Sequence, residues 1–177
     1  MERHLFKGFV ALVLLTGMVL VLHGSEQPGP GVSGQPTNTP TVSTNDSQQA
    51  WKLMEVYFGA LAKNQITNAN VLVPQIMVLG TNDGAFMNFF SWRIFADRNI
   101  RHRDRQLALT TAQRALQVKG EEAGVLDTYA RALFENGKRE QAIEIEQKAV
   151  QLSTNEAQRI EMEANLHRYT RLSKPAK

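Results

Sequence analysis

The chain has 177 residues, and 20 lysines and arginines oppose 17 aspartates and glutamates, which gives a formal charge of +3. A charge this small does not by itself indicate nucleic acid binding. The chain contains no cysteine, which excludes a disulfide framework, a thiol nucleophile and a cysteine-ligated metal. Its length is typical of one domain with additional segments.

The first segment, residues 1–24, is predicted to be a signal anchor or a signal peptide. An apolar stretch over residues 8–22 follows Arg3 and Lys7. Counted from Gly8, the stretch has the length of a signal peptide, whereas counted from Leu5, across Lys7, it is long enough for a membrane span. In both cases the basic residues before the stretch predict export of the rest of the chain.

The cleavage position favours an anchor through residues 5–22. Cleavage after Gly24 or Ser25 would place Leu22 or His23 three residues before the cut, and neither is the small residue expected there. The predicted localisation is therefore a single pass in a bacterial inner membrane, with the C-terminal domain on the periplasmic or extracellular side. The alternative is a periplasmic or secreted protein whose N-terminus has been cleaved.

Residues 25–46 are predicted to form a disordered linker. They are rich in Gly, Pro, Ser and Thr and contain no aromatic residue. Such a segment cannot bury enough apolar surface to offset the entropy lost on ordering. A folded domain is expected over residues 47–172, and residues 173–177 form a short tail.

The predicted domain has helical spacing and no clear strand pattern. A short helix is expected to begin near Pro74, because proline is tolerated in a first helical turn. Asp83 is the expected N-cap of a helix over residues 84–98, and another helix is expected over residues 104–118. The apolar stripe of the first helix consists of Trp51, Met54, Phe58 and Leu61.

Two parts of the chain align with each other when Ala108 is placed on Ala142. Small residues meet small residues in this alignment, and large apolar residues meet large apolar residues. Small side chains allow antiparallel helices to approach closely, and Gly137 supplies backbone freedom at a helix end. The aligned small pairs are Ala96 with Ala130, Ala108 with Ala142, and Ala115 with Ala149.

This pattern resembles the tetratricopeptide repeat (TPR), with units over residues 89–122 and 123–156. The second unit departs from the family at Glu146, where an aromatic residue is common, and at Thr154, where proline is common. In the first unit, the usual turn glycine is missing. The motif positions of the second unit are filled by Leu126, Tyr129, Ala130, Leu133, Ala142 and Ala149, and those of the first by Trp92, Phe95, Ala96, Ala108 and Ala115.

The chain is also similar to the repeat tails of some bacterial envelope thioredoxin-like proteins, although it has no thioredoxin module. Ser153 and Glu156 predict a capping box before a last helix, whose apolar stripe is Met162, Leu166, Tyr169 and Leu172. The predicted fold class is all-α: a short stack of antiparallel helix pairs, a TPR-like α-solenoid, with a C-terminal capping helix and a preceding N-terminal hydrophobic helix. Whether residues 47–80 form a third repeat stays open.

The sequence shows no catalytic or metal-binding motif, so no catalytic residue, metal site or cofactor is predicted. The acids Glu140, Glu144 and Glu146 are interpreted as a solvated helix face. The resemblance instead implies a partner-binding groove along the first helix of each unit. The residues predicted to line it are Phe90, Arg93, Asp97, Ile100, Arg101, Asp127, Arg131, Phe134 and Glu135.

The predicted function is that of a membrane-tethered adaptor or scaffold for protein–protein interaction or complex assembly. Six arginines and two aspartates lie between Arg93 and Leu116, a net charge of +4, so an acidic protein or peptide segment suits the groove. Nucleic acid is not expected, because no aromatic residues interleave the basic turn. One alternative is a structural accessory subunit whose anchor helix packs against other membrane spans. An unrecognised enzyme is a third class.

Overall fold

The computed structural model of the protein describes residues 43–173. The predicted anchor, most of the predicted linker and the end of the predicted tail lie outside the described residues. Within the described part there is no strand, and eight helices follow one another in the chain. They are α1 (Thr44–Ala62), α2 (Ile66–Asn70), α3 (Val73–Gly80), α4 (Gly84–Ala96), α5 (Arg105–Lys119), α6 (Ala123–Glu135), α7 (Arg139–Leu152) and α8 (Glu156–Ser173).

The prediction of an all-α fold with paired helices is confirmed for this part of the chain. Helix α1 packs on α2 and α3, α4 packs on α5, and α6 packs on α7. We call α1, α4 and α6, which each begin a group of packed helices, and the last helix α8 the first helices. Each of them contacts the next: α1 contacts α4, α4 contacts α6, and α6 contacts α8. The last helix lies mainly against α7. Helix α1 begins at Thr44, slightly before the predicted start of the domain at residue 47.

The α6–α7 pair has the close approach that the sequence predicts. Ala130, Ala142 and Ala149 are all 0% exposed. Gly137 adopts a φ of +79° in the turn between the two helices, a conformation that L side chains resist. The Lys138 N–H donates to the Leu133 carbonyl at 3.0 Å, which closes the end of α6.

Side-chain caps at Asp83 and Asp104 begin helices α4 and α5. Asp83 accepts a hydrogen bond from the Phe86 N–H at 2.9 Å, which confirms the predicted cap of α4. Asp104 accepts from the Leu107 N–H at 2.8 Å at the start of α5. Pro74 lies in the first turn of α3, as its fixed φ predicts.

The predicted capping box at Ser153 is wrong. Helix α8 begins at Glu156, so its N-cap is Asn155, whose Oδ1 accepts from the Gln158 N–H at 3.1 Å. Ser153 lies too far before the helix to reach its free N–H groups. Its hydroxyl instead donates to the Asn155 carbonyl at 3.1 Å.

The first helices α4 and α6 begin a different number of residues apart than the second helices of the same pairs, α5 and α7. Helices α5 and α7 begin at residues 105 and 139, which is the same offset as that of Ala108 from Ala142. Helices α4 and α6 begin at residues 84 and 123, a larger offset, because the connection over residues 97–104 is five residues longer than the connection over residues 136–138. The predicted start of the first unit, at residue 89, therefore lies within α4 and not at its beginning.

Because of this longer connection, the prediction that Ala96 is the small residue of α4 equivalent to Ala130 is wrong. Ser91, and not Ala96, corresponds to Ala130 when α4 and α6 are aligned from their first residues. Ser91 is 0% exposed, and its hydroxyl donates to the Ala108 carbonyl on α5 at 2.8 Å. Ala96 is half-buried at the end of its helix. A short polar residue thus occupies the position where the alignment led us to expect alanine.

An aromatic cluster joins α1 to α4. The ring centroid of Phe90 lies 5.3 Å from that of Tyr57 and 5.7 Å from that of Phe58, with the rings nearly perpendicular. Trp51 adds an edge-to-face contact with Phe86 at 5.2 Å. Such geometry is favoured by the ring quadrupoles. The α1–α3 segment is therefore part of the same hydrophobic core as the two predicted repeats.

Among residues 43–173, no helix has both the length and the apolar character needed to cross a membrane.

Candidate functional site

Three arginines each lie over an aromatic ring of the preceding first helix. The guanidinium carbon of Arg93 on α4 lies 4.4 Å from the ring centroid of Phe58 on α1. Arg131 on α6 lies 5.4 Å from the Phe95 ring on α4, and Arg168 on α8 lies 5.7 Å from the Phe134 ring on α6. We call these three contacts the arginine–ring series. Each is within the range of a cation–π interaction.

The first arginine of the series is neutralised by acids. Arg93 forms an ion pair with Glu55 on α1, and its Nε lies 3.7 Å from a carboxylate oxygen of Asp97. Asp97 also accepts a hydrogen bond from the Asn99 N–H at 2.9 Å. These contacts fix Arg93 at the junction of α1 and α4. Its side chain remains 21% exposed.

The other two arginines have fewer hydrogen bonds. A terminal nitrogen of Arg131 donates to the Phe95 carbonyl at 3.3 Å, but its Nε is buried without a hydrogen-bond partner. The Nε of Arg168 is also buried without one. Burial lowers the pKa of Arg131, and the neighbouring positive charge of Arg168 lowers it further. These two like charges therefore lie close enough to repel each other.

A buried carboxyl pair lies in the same region. Glu146 on α7 is 0% exposed, and neither of its carboxyl oxygens accepts a hydrogen bond. Burial raises the pKa of Glu146 to about 10, and the charge of Asp127 on α6 contributes to that increase. A pKa this high keeps Glu146 protonated at neutral pH, beside the Asp127 carboxylate.

Asp127 remains tied to the last helix. Its Oδ1 accepts a hydrogen bond from the Asn165 side-chain amide on α8 at 3.1 Å. Burial raises the pKa of Asp127, while Asn165, Arg131 and Arg168 oppose that increase. The pair with Glu146 therefore holds a proton that two exposed carboxyl groups would have lost at neutral pH.

The structure removes two predicted residues from the groove. Phe90 is 0% exposed within the aromatic cluster, and Ile100 is 2% exposed within the α4–α5 connection. Neither presents a surface to a partner. Arg101 is exposed, but α4 ends at Ala96, so Arg101 lies in the connection and does not share a helix face with Arg93.

The remaining predicted residues fall into two groups. Arg93 and Asp97 lie together at the α1–α4 junction. Asp127, Arg131 and Phe134 meet α8, where Phe134 stacks on Tyr169 with ring centroids 4.3 Å apart. Glu135 is half-buried near Arg131, and its charge raises the pKa of that arginine. The second group forms the candidate site.

Sequence reasoning missed four members of this site, one on α7 and three on α8. The interpretation of Glu146 as part of a solvated face is wrong, although Glu140 and Glu144 are exposed as expected. Its position gave a usable signal, because Glu146 shares the helical stripe of Ala142 and Ala149. The missed residues are Glu146, Asn165, Arg168 and Tyr169.

This arrangement is suited to binding. Arginine side chains can bind carboxylates through two parallel hydrogen bonds. Glu146 is closed to solvent beneath α8, so a substrate cannot reach it in this conformation. In the described part of the chain, no three acidic or histidine side chains are grouped to hold a metal ion. A shallow, open depression of about 510 Å³ lies on α8 and is lined by Ala164, His167, Arg168, Thr170 and Arg171.

A scan of the chain against known protein-family models found no match, and a search of curated proteins found no similar sequence.

Proposed function

We propose that the chain is a membrane-tethered adaptor on the exported side of a bacterial membrane, whose TPR-like helix pairs bind an acidic segment of a protein partner. The proposal is supported by the serial contacts of α1, α4, α6 and α8, which are the order expected of a solenoid. In that arrangement, the first helices form a shared face.

The groove positions follow the corrected spacing of the first helices. For α6, the resemblance implies Asp127, Arg131, Phe134 and Glu135, as predicted. For α4, each implied position lies five residues earlier in the sequence than predicted, because the α4–α5 connection is five residues longer than the α6–α7 connection. They become Ala85, Asn88, Trp92, Phe95 and Ala96, of which Phe95 is buried. Asn88 and Trp92 are half-buried, and the side-chain oxygen of Asn88 is buried without a hydrogen-bond partner.

The main observation is the pair of neighbouring arginines, Arg131 and Arg168. Each has a buried Nε without a hydrogen-bond partner, and each rests on an aromatic ring. Because Glu146 is neutral at physiological pH, the buried carboxyl pair supplies less negative charge than two ionised acids would. An outside carboxylate near the two guanidinium groups would reduce their mutual repulsion.

Site-specific photocrosslinking in native membranes tests this assignment. A crosslinker at Asn88 should give a discrete adduct with one protein. A crosslinker at Gln113, exposed on the second helix α5, should not. The adducted peptide should be rich in Asp and Glu. Equal labelling from both positions, or an adducted peptide without acids, would reject the groove.

A pair of variants on α8 isolates the arginine contribution. Arg168→Gln should reduce recovery of the adduct about tenfold, because hydrogen bonds to charged groups contribute roughly 1.5–3 kcal/mol. Arg159→Gln lies on the same helix and removes only the ion pairs with Glu156 and Glu163, so recovery should not change. If the chain is instead an accessory subunit, recovery should depend on residues 5–22 and not on Arg168.

A further inference from the structure

Two turns at one end of the helix pairs lie against each other. The α4–α5 connection covers residues 97–104, and the α6–α7 connection covers residues 136–138. The side-chain amide of Asn136 donates to the Arg105 carbonyl at 2.8 Å, which joins the second turn to the start of α5. The basic residues of both turns therefore belong to one continuous surface.

This surface has a strong excess of exposed positive charge. Across residues 97–105 and 136–140, six exposed side chains are basic and one, Glu140, is acidic, a difference of +5. The two aspartates of the first turn are only half-buried, and both accept backbone hydrogen bonds. We call the six basic residues the basic edge: Arg98, Arg101, Arg103, Arg105, Lys138 and Arg139.

The opposite end of the pairs has a different charge pattern. The α5–α6 connection contains the exposed acids Glu121 and Glu122. Glu121 forms an ion pair with Lys148, and Glu122 lies 2.9 Å from Lys119. Positive charge is thus balanced there and concentrated at the basic edge. A body with this asymmetry would be oriented by the field of an anionic surface.

The shape of the basic edge suits a broad surface. The depression between the turns, about 580 Å³, is shallow and open. It is lined by Arg105, Phe134, Glu135, Asn136, Gly137 and Arg139. The two turn segments contain no Phe, Tyr or Trp on which a nucleic acid base could stack. An anionic lipid surface needs a sufficient number of nearby cations and no shaped pocket.

We propose that the basic edge docks the helical body against an anionic lipid bilayer. This inference rests on the membrane tether in the proposed function, because a tether keeps the body within reach of the lipid surface. Docking at this end would leave the face formed by the first helices open at the side of the body. The groove and the basic edge meet at Phe134 and Glu135, and the residues beyond that junction would serve different partners.

The cysteine-free sequence allows a direct test with the full chain in lipid vesicles. A single fluorophore is attached through Asn99→Cys at the basic edge, or through Thr154→Cys in the α7–α8 connection. Both native positions are exposed. In vesicles that contain phosphatidylglycerol and nitroxide-labelled headgroups, the label at residue 99 should be quenched and the label at residue 154 should not. High salt or pure phosphatidylcholine should remove the quenching.

Two charge-reversal variants separate the basic edge from overall charge. Arg101→Glu combined with Lys138→Glu changes one exposed residue in each turn. It should decrease the ratio of docked to undocked protein at least tenfold, since each basic residue near an anionic surface contributes roughly a fivefold effect. Lys52→Glu combined with Lys148→Glu alters the net charge equally, away from the basic edge, and should have little effect.

Equal loss in both double variants, or equal quenching at both labels, would overturn the proposal. It would also be overturned if single-stranded RNA shielded the label at residue 99 more strongly than phosphatidylglycerol vesicles do. If the proposed membrane tether is wrong, the result differs from the outcomes above, because the full chain would not sediment with phosphatidylcholine vesicles. The label at residue 99 would still report docking on anionic vesicles in that case.

Discussion

Phe134 on α6 and Tyr169 on α8 stack with their ring centroids 4.3 Å apart and their planes 22° from parallel. Tyr169 is 0% exposed, and its hydroxyl has no hydrogen-bond partner. The contact joins the last helix to the preceding pair, in the same region as the carboxyl group of Glu146. The ring of Tyr169 therefore matters more to stability than its hydroxyl group does.

Tyr169→Ala should lower the free energy of unfolding by about 3–5 kcal/mol, because it removes a buried aromatic ring. Tyr169→Phe should change it by less than about 1 kcal/mol, since the lost hydroxyl made no hydrogen bond. Chemical denaturation measures both values. A similar loss in the two variants would show that the hydroxyl has a partner in solution.

Glu146→Gln should remove a pH dependence of stability. The native pKa of Glu146, about 10, is higher than its ordinary value of 4.5. The native state therefore binds more protons than the unfolded state between these values, and this stabilising contribution is lost as pH rises. Between pH 5 and 8, the advantage of the glutamine variant over the native chain should grow by about 2–4 kcal/mol.

The matched control for this pH series is Glu144→Gln, because Glu144 lies on the same helix and is exposed. Its unfolding free energy should follow that of the native chain at every pH. Parallel curves for Glu146→Gln and the native chain would mean that Glu146 is ionised in the folded protein.

Ala142→Leu should destabilise the α6–α7 pair. Ala142 is 0% exposed where the two helices approach, and overpacking costs typically about 1–3 kcal/mol. The neighbouring Gln141 is exposed on the same helix. Gln141→Leu should leave the denaturation midpoint almost unchanged, and an equal midpoint for the two variants would contradict the packing described for α7.

The corrected spacing of α4 predicts that Ser91→Leu costs more stability than Ala96→Leu. Ser91 is 0% exposed and its hydroxyl donates to the Ala108 carbonyl, whereas Ala96 is half-buried at a helix end. Leucine at residue 91 would overpack the α4–α5 contact at a cost of about 1–3 kcal/mol. The reverse order in thermal denaturation would support the uniform offset of the sequence alignment instead.

Two glycine substitutions should have opposite signs. Apart from the adjacent backbone, no atom lies within 4 Å of a Cβ added at Gly137 or at Gly59. Gly137 has a φ of +79°, so Gly137→Ala should cost about 1–2 kcal/mol in backbone strain. Gly59 lies inside α1, where alanine is preferred to glycine by about 0.8–1.0 kcal/mol. Melting temperatures that move in the same direction would contradict this interpretation.

The sequence predicted the helices well because local signals define them. Asp83 and Gly137 act through nearby backbone groups, and Ala142 and Ala149 lie on one helical stripe. The predicted alignment of α4 with α6 was wrong because it compared residue types and matched Ala96 with Ala130. The true counterpart, Ser91, is a different small residue, and the extra length of the α4–α5 connection left no periodic signal.

The candidate site was harder to predict because its main members come from different helices. Arg131 and Asp127 were identified from one unit, but their surroundings depend on α8. The sequence pattern groups Glu146 with the nearby acids Glu140 and Glu144, and all three were interpreted as a solvated helix face. Only the packing of α8 over α7 buries the Glu146 carboxyl group and thereby raises its pKa.

The arginine–ring series also has a fixed direction along the stack, and this determines how further helix pairs could be added. In each contact, the arginine reaches back to a ring on the preceding first helix. A duplicate of the α6–α7 pair inserted before α8 would bring both halves of the contact: its copy of Arg131 would meet the original Phe134, and its copy of Phe134 would receive Arg168. The stack could therefore lengthen by whole helix pairs that form the same arginine–ring contact, while α1 and α8 would remain its two ends.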